Sequence, residues 1–418
     1  MSRLTGAERR LVHKGDGMGY LRLTTAGESH GPGEICILEG VPAGLCLSRA
    51  DVDVDLARRQ KGYGRGGRML IETDRCTLLA GVRHSRTLGS PICILVENKD
   101  HANWLEIMGP DQPVSGRSPL PLTIPRPGHA DLAGAAKYDH EDLRNVLERA
   151  SARQTVACVA GGAVAKRLLA EVGVCVRARV VGVGSVTSSS RPDYADPASV
   201  DWDTVERSSL GCDDKVADAL MRAEVDSARE AGESLGGVFE VWCWRVCPGL
   251  GGYNEPADRL DGRLLGALGS IPAVKGVQMG DAFANALLPG SSVHDPIVLR
   301  ESGERVSITR PSNHAAGTEG GVSNGMPLVV QAAMKPIPTL TKPLPSVDLA
   351  VLIPTAAHVE RSDVVAVTAA SVVGEAMVAI VVADAYLAKF GGDSLEDFKQ
   401  AVSAYEGRLE EKGIWRRS

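Results

Sequence analysis

The chain has 418 residues, 44% of them hydrophobic and only 4% aromatic, so it is long enough to bury a large core built mainly from small aliphatic side chains. A formal net charge of −6 argues against general nucleic-acid binding, which needs a basic field, but leaves room for a local basic pocket. Nine cysteines, an odd number without a CxxC pair, fit reduced and mostly buried thiols in a cytoplasmic setting better than a disulfide framework or a metal centre.

Residues 1–18 hold no apolar run of signal-peptide length, and Glu8 and Asp16 disfavour a transit peptide; they read as a flexible N-terminal tail, with Met18 as an alternative start. From Tyr20 to Pro42 the pattern is strand, loop, strand: LRLTTA, GESHGPG, EICILEG. An amphipathic helix, ADVDVDLARRQ, then runs into the Gly- and Arg-rich KGYGRGGR. Strands are predicted at MLIETD, CTLLAGV and PICILVEN, and an extended Pro-rich loop from Asp100 to Gly128 ends in RPGHAD.

Helical spacing of Val146, Val156, Val159, Val164 and Leu168 predicts one helix over Glu141 to Val172, in which Gly161-Gly162 either kinks the axis or permits close packing. A strand at VCVRARVVGVGSV, a polar linker from Ser188 to Pro197, a helix from Asp214 to Ala231 and a strand at GGVFEVWCWRV follow. Gly269 to Pro345 reads as glycine-dense loop with one strand, MPLVVQAAM. The last strong element is a helix from about Val364 to Phe390. Its segment Val364 to Ala383 has the length of a membrane span, but small residues dilute it and Glu375 interrupts it, so a buried core helix is expected and no membrane contact. Strands come in runs, which makes the class α+β and not doubly wound. The expected organisation is a single domain over 19–392 and a C-terminal extension, 393–418, without an assigned role.

Two motifs mislead. Gly27-Glu28-Ser29-His30-Gly31 matches the hydrolase G-x-S-x-G, but that nucleophile elbow needs a helix after the turn, and PGEICILEG reads as strand. Gly62, Gly64 and Gly67 match G-x-G-x-x-G, yet they follow a helix and precede a strand, the reverse of a dinucleotide-binding turn. The same stretch holds Arg58, Arg59, Lys61, Arg65 and Arg68 beside permissive glycines, which is either a solvated face or a place for phosphate and carboxylate groups.

Four further stretches carry chemistry. RPGHAD places His129 on a Pro-Gly turn. LERASARQT places Arg149, Ser151 and Arg153 on the predicted helix, with 149 and 153 as i, i+4 neighbours that bind an anion or merely pair with Glu148 or Asp142. GTEGGVSNGMP and AMKPIPT offer backbone N–H groups and Lys335, a composition suited to a phosphate-bearing cofactor. RSD puts Asp363 at the start of the last helix, as a helix cap or a catalytic acid. Two loop histidines, a carboxylate, several arginines and two serines, without an activated nucleophile or metal-ligand spacing, suit proton transfer around an anionic substrate.

These stretches resemble the signature regions of the chorismate synthase family: GESHGPGEICILEGVP, ERASARQTVACVAGGAV and RSDVVAVTAASVVGEAM. GYGRG, RHSRTLGSPI, RPGHAD, SNHAAGTEGGVSNG and AMKPIPT also resemble family landmarks, in family order, from about Gly19 to Gly392. The resemblance implies a β-α-β sandwich with helices packed between antiparallel sheets, a homotetramer, and a lyase of the shikimate pathway. That enzyme eliminates phosphate and a C6 hydrogen from 5-enolpyruvylshikimate 3-phosphate with reduced FMN. It also implies NADPH as an indirect source of electrons, with a separate flavin reductase as the supplier.

Carried over by residue, His30 would serve the departing phosphate, His129 the anionic flavin, and Asp363 proton relay, with Ser29 and Ser151 assisting. Arg59, Arg65, Arg68 and Arg153 would hold the substrate, and Arg59 and Arg65 also match positions assigned to NADPH. Arg149, Ala150, Ser151, Gly320, Lys335, Pro336, Ile337, Pro338, Thr339 and Arg361 match FMN contacts. Pro338 departs from the usual Ser or Thr, and ANALLPGSS lacks the basic residue that relatives often carry. The competing expectation is a flavin-dependent reductase acting on another anionic substrate.

Overall fold

The computed structural model describes residues 20–65, 73–111, 113, 115, 116, 119–302, 305–360 and 363–416. The predicted strand–loop–strand is present as β1 (Arg22–Ala26) and β2 (Gly33–Glu39), which pair antiparallel with Arg22 opposite Glu39. With β3 (Cys76–Ala80) and β4 (Ile92–Glu97) they form an antiparallel sheet in the order β1-β2-β4-β3. The second sheet joins β5 (Cys175–Val183), β6 (Val186–Thr187), β7 (Gly237–Trp244), β8 (Val274–Met279) and β9 (Leu328–Met334) in the antiparallel order β8-β9-β7-β5-β6. Antiparallel sheets with separately grouped helices make the class α+β.

Of the predicted strand MLIETD, residues 69–72 lie outside the described residues, and Thr73 and Asp74 are not in a strand. The region Gly269 to Pro345 holds more than the one strand expected. β8 lies there, with a hairpin of Val298–Ser302 and Arg305–Thr309 and a small Thr318–Glu319/Val322–Ser323 pair. These strands are short and glycine-punctuated, so alternation is too brief to register as period-2 patterning.

Six longer helices complete the framework. Helix α1 (Arg49–Gln60) opens with the Ser48 N–H donating to Asp51 Oδ2 at 2.7 Å, one arm of a capping box. Helix α3 (Lys215–Ala231) starts on Asp214, whose carboxylate accepts from the N–H groups of Val216 and Ala217, and stops at Gly232 with φ +75. The others are α2 (Thr155–Ala170), α4 (Leu260–Gly269), α5 (Val367–Phe390) and α6 (Leu395–Glu411). Helix α6 follows the helix expected to be last, and it buries Phe398 and Val402 in the main core.

Glycines set how closely these layers meet. A Cβ on Gly161 of α2 would lie 2.7 Å from Leu23 of β1 and 3.1 Å from Cys36 Sγ of β2. One on its neighbour Gly162 would lie 2.2 Å from the Cβ of Ala376 in α5, and one on Gly374 would lie 2.5 Å from the Phe239 ring of β7. Gly161-Gly162 therefore permits close packing on both sides of α2 instead of kinking it. Helix α5 is the segment that mimics a membrane span: the apolar window in it is 89% buried inside the protein.

Its Glu375 is buried and held by Arg58 of α1 (2.8 and 2.9 Å), Lys166 of α2 and the Ala178 N–H of β5 (3.1 Å). Burial opposes ionisation, but these cations keep the carboxyl well below the usual range. Arg58, the first member of the basic run, thus serves the interior.

Candidate active site

The loop between β1 and β2 needs its first glycine. Gly27 adopts φ +131, and a Cβ there would lie 2.5 Å from the Gly33 carbonyl oxygen and 2.6 Å from Glu34 Oε2. Asn98, just past β4, donates to the carbonyls of Ser29 (2.9 Å) and Gly31 (3.1 Å). From the opposite side, the Glu148 carbonyl accepts from the Ser29 N–H at 3.0 Å. The nucleophile-elbow reading fails as expected, because a strand follows the loop.

One face and one edge of His30 are controlled. Its ring stacks on Trp104, with centroids 3.8 Å apart and planes 25° from parallel. Nδ1 lies 2.9 Å from each carboxylate oxygen of Glu148. Burial raises the Glu148 pKa, but the hydrogen bonds and charge of His30, with Arg144 nearby, outweigh it and hold the carboxyl below its ordinary range. Ser151 Oγ donates to Ser29 Oγ at 3.2 Å, so the two predicted helper hydroxyls do meet.

The continuous helix expected over Glu141 to Val172 is broken. A short helix, Arg144–Leu147, gives way to a tight turn, Ala152–Gln154, before α2 begins at Thr155. Two side chains cause the break: Ser151 Oγ takes the Arg153 N–H at 3.2 Å, and Thr155 Oγ1 donates to the Ala152 carbonyl at 2.7 Å.

Arg149 and Arg153 are therefore not neighbours on a helix face, nor do they pair with Glu148 or Asp142. Arg149 donates to the carbonyls of Thr25 (3.2 Å) and Gly27 (3.1 Å) and to Thr25 Oγ1 (2.7 Å). It also approaches Glu34 at 3.5 Å. Arg153 meets Asp74 at 2.6 Å. Ala150 packs with the small apolar cluster around Leu143.

The remaining basic residues divide. Arg59 is buried and donates to Thr155 Oγ1 (3.0 Å), the Ala152 carbonyl (2.9 Å) and Asp74 (3.4 Å). Burial lowers its pKa to about 10 despite Asp74. Arg65 pairs with Asp363 at 3.0 Å, joining a predicted anion binder to the predicted acid. Asp363 is not a helix cap, because α5 begins only at Val367 with Ala366 before it. Arg68 and Arg361 lie outside the described residues.

A second group surrounds His129. Its Nδ1 lies 2.5 Å from Asp131 Oδ1, and Asp131 also accepts from the Arg126 N–H (3.0 Å) and Nε (2.9 Å). Burial raises the Asp131 pKa, but bonds from His129 and Arg126 overcome it and keep the carboxyl far below normal.

The predicted cofactor loop packs on this turn. Lys335 Nζ donates to the Gly128 carbonyl, Arg126 reaches Thr339 Oγ1 at 3.3 Å, and Ser234 donates to the Ile337 carbonyl at 2.6 Å. Gly128 has φ +79, and a Cβ there would meet Lys335 Nζ at 3.2 Å and Pro338 Cβ at 3.4 Å. Burial, with Lys275 nearby, lowers the Lys335 pKa. Pro336 sits beside Gly236. Gly320 lies on another turn, whose neighbours are Gly252, Arg259 and Leu260.

Arg126 Nη1 reaches Glu360 at 3.3 Å, and Glu360 precedes Asp363 by three residues. Three residues of chain span roughly 11 Å at most, so the His129 and Arg65–Asp363 groups border one region. Among the described residues no cluster of His, Cys, Asp and Glu is arranged to hold a metal ion.

The family model described as chorismate synthase matches residues 21–387. The chain belongs to the chorismate synthase family. Among its relatives, the chorismate synthase of Rubrobacter xylanophilus is 52% identical over 386 residues, covering 92% of this chain and 96% of the relative. That of Aquifex aeolicus is 49% identical over 391 residues, covering 92% and 97%. A crystal structure of a chorismate synthase superposes with a TM-score of 0.76 at 41% identity, covering 94% of this chain and 99% of that one.

The three stretches that resemble chorismate synthase signatures meet in space: His30 and Ser29 touch Glu148 and Ser151, and Gly162 packs on Ala376. Sequence reasoning missed the supporting groups Glu148, Trp104, Asn98, Asp74, Arg126 and Asp131 as members of the site. Glu148, Arg126 and Asp131 lay inside stretches already singled out. Trp104, Asn98 and Asp74 gave no sequence signal.

Proposed function

We propose that this chain catalyses the chorismate synthase reaction, a carbon–oxygen lyase step in aromatic amino acid biosynthesis. It removes phosphate and a C6 hydrogen from 5-enolpyruvylshikimate 3-phosphate by 1,4-anti elimination. The observation that carries this reading is the family match across residues 21–387, which spans every residue of the site.

The residues present fit reduced FMN. The Lys335 ammonium, held on the Gly128 carbonyl, stands with Thr339 and Arg126 as a set of donors suited to an anionic, phosphate-bearing ligand. Pro338 replaces a hydroxyl by a ring packed near Gly128, so Lys335 and Thr339 carry the polar contacts of this loop. Ile337, Pro336, Arg149, Ala150, Ser151, Gly320 and Arg361 complete the proposed cofactor contacts. Bound reduced FMN supplies the electron density that lets an unactivated C6–H and a phosphate depart.

The chain's own residues orient and neutralise. His30 gives a proton to the leaving phosphate, and His129, held by Asp131, places positive charge beside the cofactor. Asp363, tied to Arg65, relays a proton, and Ser29 and Ser151 hold its neighbours in line. Arg65, Arg68 and Arg153 bind substrate anions. Arg59, whose donors are engaged by Thr155, Ala152 and Asp74, adds charge at close range.

The proposal extends to a layered β-α-β sandwich, to one domain over 19–392, to a cytoplasmic homotetramer, and to NADPH acting through a separate flavin reductase. The layering is supported by α2 lying against the first sheet and α5 against the second. The deciding experiment is anaerobic incubation of the purified protein with the substrate and dithionite-reduced FMN. Chorismate formed with catalytic flavin supports the proposal; stoichiometric oxidation of the flavin without chorismate makes the protein a reductase.

A further inference from the structure

His30 is held more firmly than a proton donor on a glycine-flanked loop requires. Glu148, only 1% exposed, places both carboxylate oxygens 2.9 Å from Nδ1. Its Oε2 also accepts the His30 backbone N–H at 2.9 Å, and its backbone carbonyl takes the Ser29 N–H at 3.0 Å. Trp104 covers one ring face, and is itself fixed by Asp100 (3.0 Å) and by Arg144, which lies 5.5 Å from the indole centroid. His101 Nδ1 lies 3.0 Å from the His30 carbonyl. Arg144 also reaches Glu148 at 3.3 Å, which keeps the carboxylate charged.

An ionised carboxylate only accepts hydrogen bonds, so Nδ1 must carry a hydrogen in either charge state of the ring. Proton exchange with a ligand then falls to Nε2, at the opposite edge. We propose that Glu148 is a positioning residue that fixes the tautomer and direction of His30, so that Nε2 alone delivers and recovers the proton. In the step the Nε2–H bond breaks and an O–H bond forms on the leaving phosphate. The imidazole becomes neutral with its Nδ1–H still donated to Glu148, which stays ionised throughout. This rests on the proposed elimination reaction, and it assigns the stretch LERASARQT a task beyond anion binding.

The test is Glu148→Gln in the full-length protein, in wild-type and His30→Ala backgrounds. The amide keeps the shape but loses the charge and also presents a donor to Nδ1, which admits the other tautomer. In the wild-type background kcat should fall on the order of 10²-fold, with KM and FMN affinity changed by less than about threefold. In the His30→Ala background the same substitution should cost nothing further. Wild-type kcat in Glu148→Gln, or an equal loss in both backgrounds, overturns the proposal. Should Glu148→Gln fail to fold, Glu148→Asp, which keeps the charge on a shorter arm, is run through the same pair of backgrounds.

A readout independent of activity separates this inference from the functional reading. In protein with 15N-labelled histidine, the His30 signals, assigned by their loss in His30→Ala, should report hydrogen on Nδ1 in the wild type and a changed tautomer in Glu148→Gln. Identical signals in the two proteins overturn the positioning role even if the wild type makes no chorismate, an outcome that would by itself sink only the functional reading.

Discussion

Gly162 of α2 lies flush against Ala376 of α5, so that a Cβ on the glycine would stand 2.2 Å from the alanine's Cβ and 2.5 Å from its Cα. The obstacle is backbone as well as side chain, and it cannot rotate away. Gly162→Ala should therefore push the two central helices apart and destabilise the protein by about 1–3 kcal/mol, the usual cost of overpacking. Denaturant unfolding measures it, and an unchanged midpoint would show that the helices have slack.

Glu375 predicts a loss of a different kind. Glu375→Gln removes the charge shared by Arg58 and Lys166 while leaving both cations in place. Removing one partner of a buried ion pair costs about 3–5 kcal/mol, and the low end applies because Asp55 still accepts from both cations. A loss under about 1 kcal/mol by urea unfolding would mean that Asp55 suffices alone.

Glu34 gives a pH dependence with a definite sign. It is 1% exposed, and burial raises its carboxyl from 4.5 to about 7 even with Arg149 and Arg153 opposing. Between those values the folded chain holds a proton that the unfolded chain has released. Stability should thus fall as pH rises through that window, by about 3 kcal/mol in all. Glu34→Gln removes this slope, so its stability relative to wild type should grow from pH 4.5 to pH 8. Parallel curves for the two proteins would contradict the assignment.

The proposed chemistry predicts that His30→Ala and His129→Ala each lose about 10²–10⁴-fold in turnover while still binding FMN. Asp363→Ala should fold, and slow the flavin-dependent step more than it weakens substrate affinity. Single-turnover flavin spectroscopy separates these effects, and wild-type turnover in both histidine variants would discard their roles.

Much of this was legible from residue patterns. The β1–β2 unit, α1, α3 and the buried character of α5 follow from periodicity and capping, which are local. The loop histidines stood out because their type is unusual on glycine- and proline-flanked turns, and Asp363 because it precedes the last apolar helix.

What escaped depends on contacts across the chain. The break at Ser151 to Thr155 was hidden because the apolar spacing continues through it, while two hydroxyls compete for the backbone. Trp104 and Asn98 sit in a stretch read as featureless loop or strand end, and become meaningful only against His30 and Ser29. Glu148 was seen as an arginine partner on a helix surface, whereas the broken helix turns it toward the imidazole. Arg58 read as part of an anion-binding run, although its partner lies 317 residues later.

That separation bears on how the protein is made. Helix α5 leaves the ribosome after α1, α2 and the second sheet, all of which pack against it. Until it emerges, the apolar surfaces of α2 and β7 have no cover, and Arg58 and Lys166 lack Glu375. The nascent chain must hold these surfaces apart, or lend them to a chaperone, until α5 has been synthesised. A truncation before residue 367 should accordingly yield an aggregating chain and not a smaller folded protein.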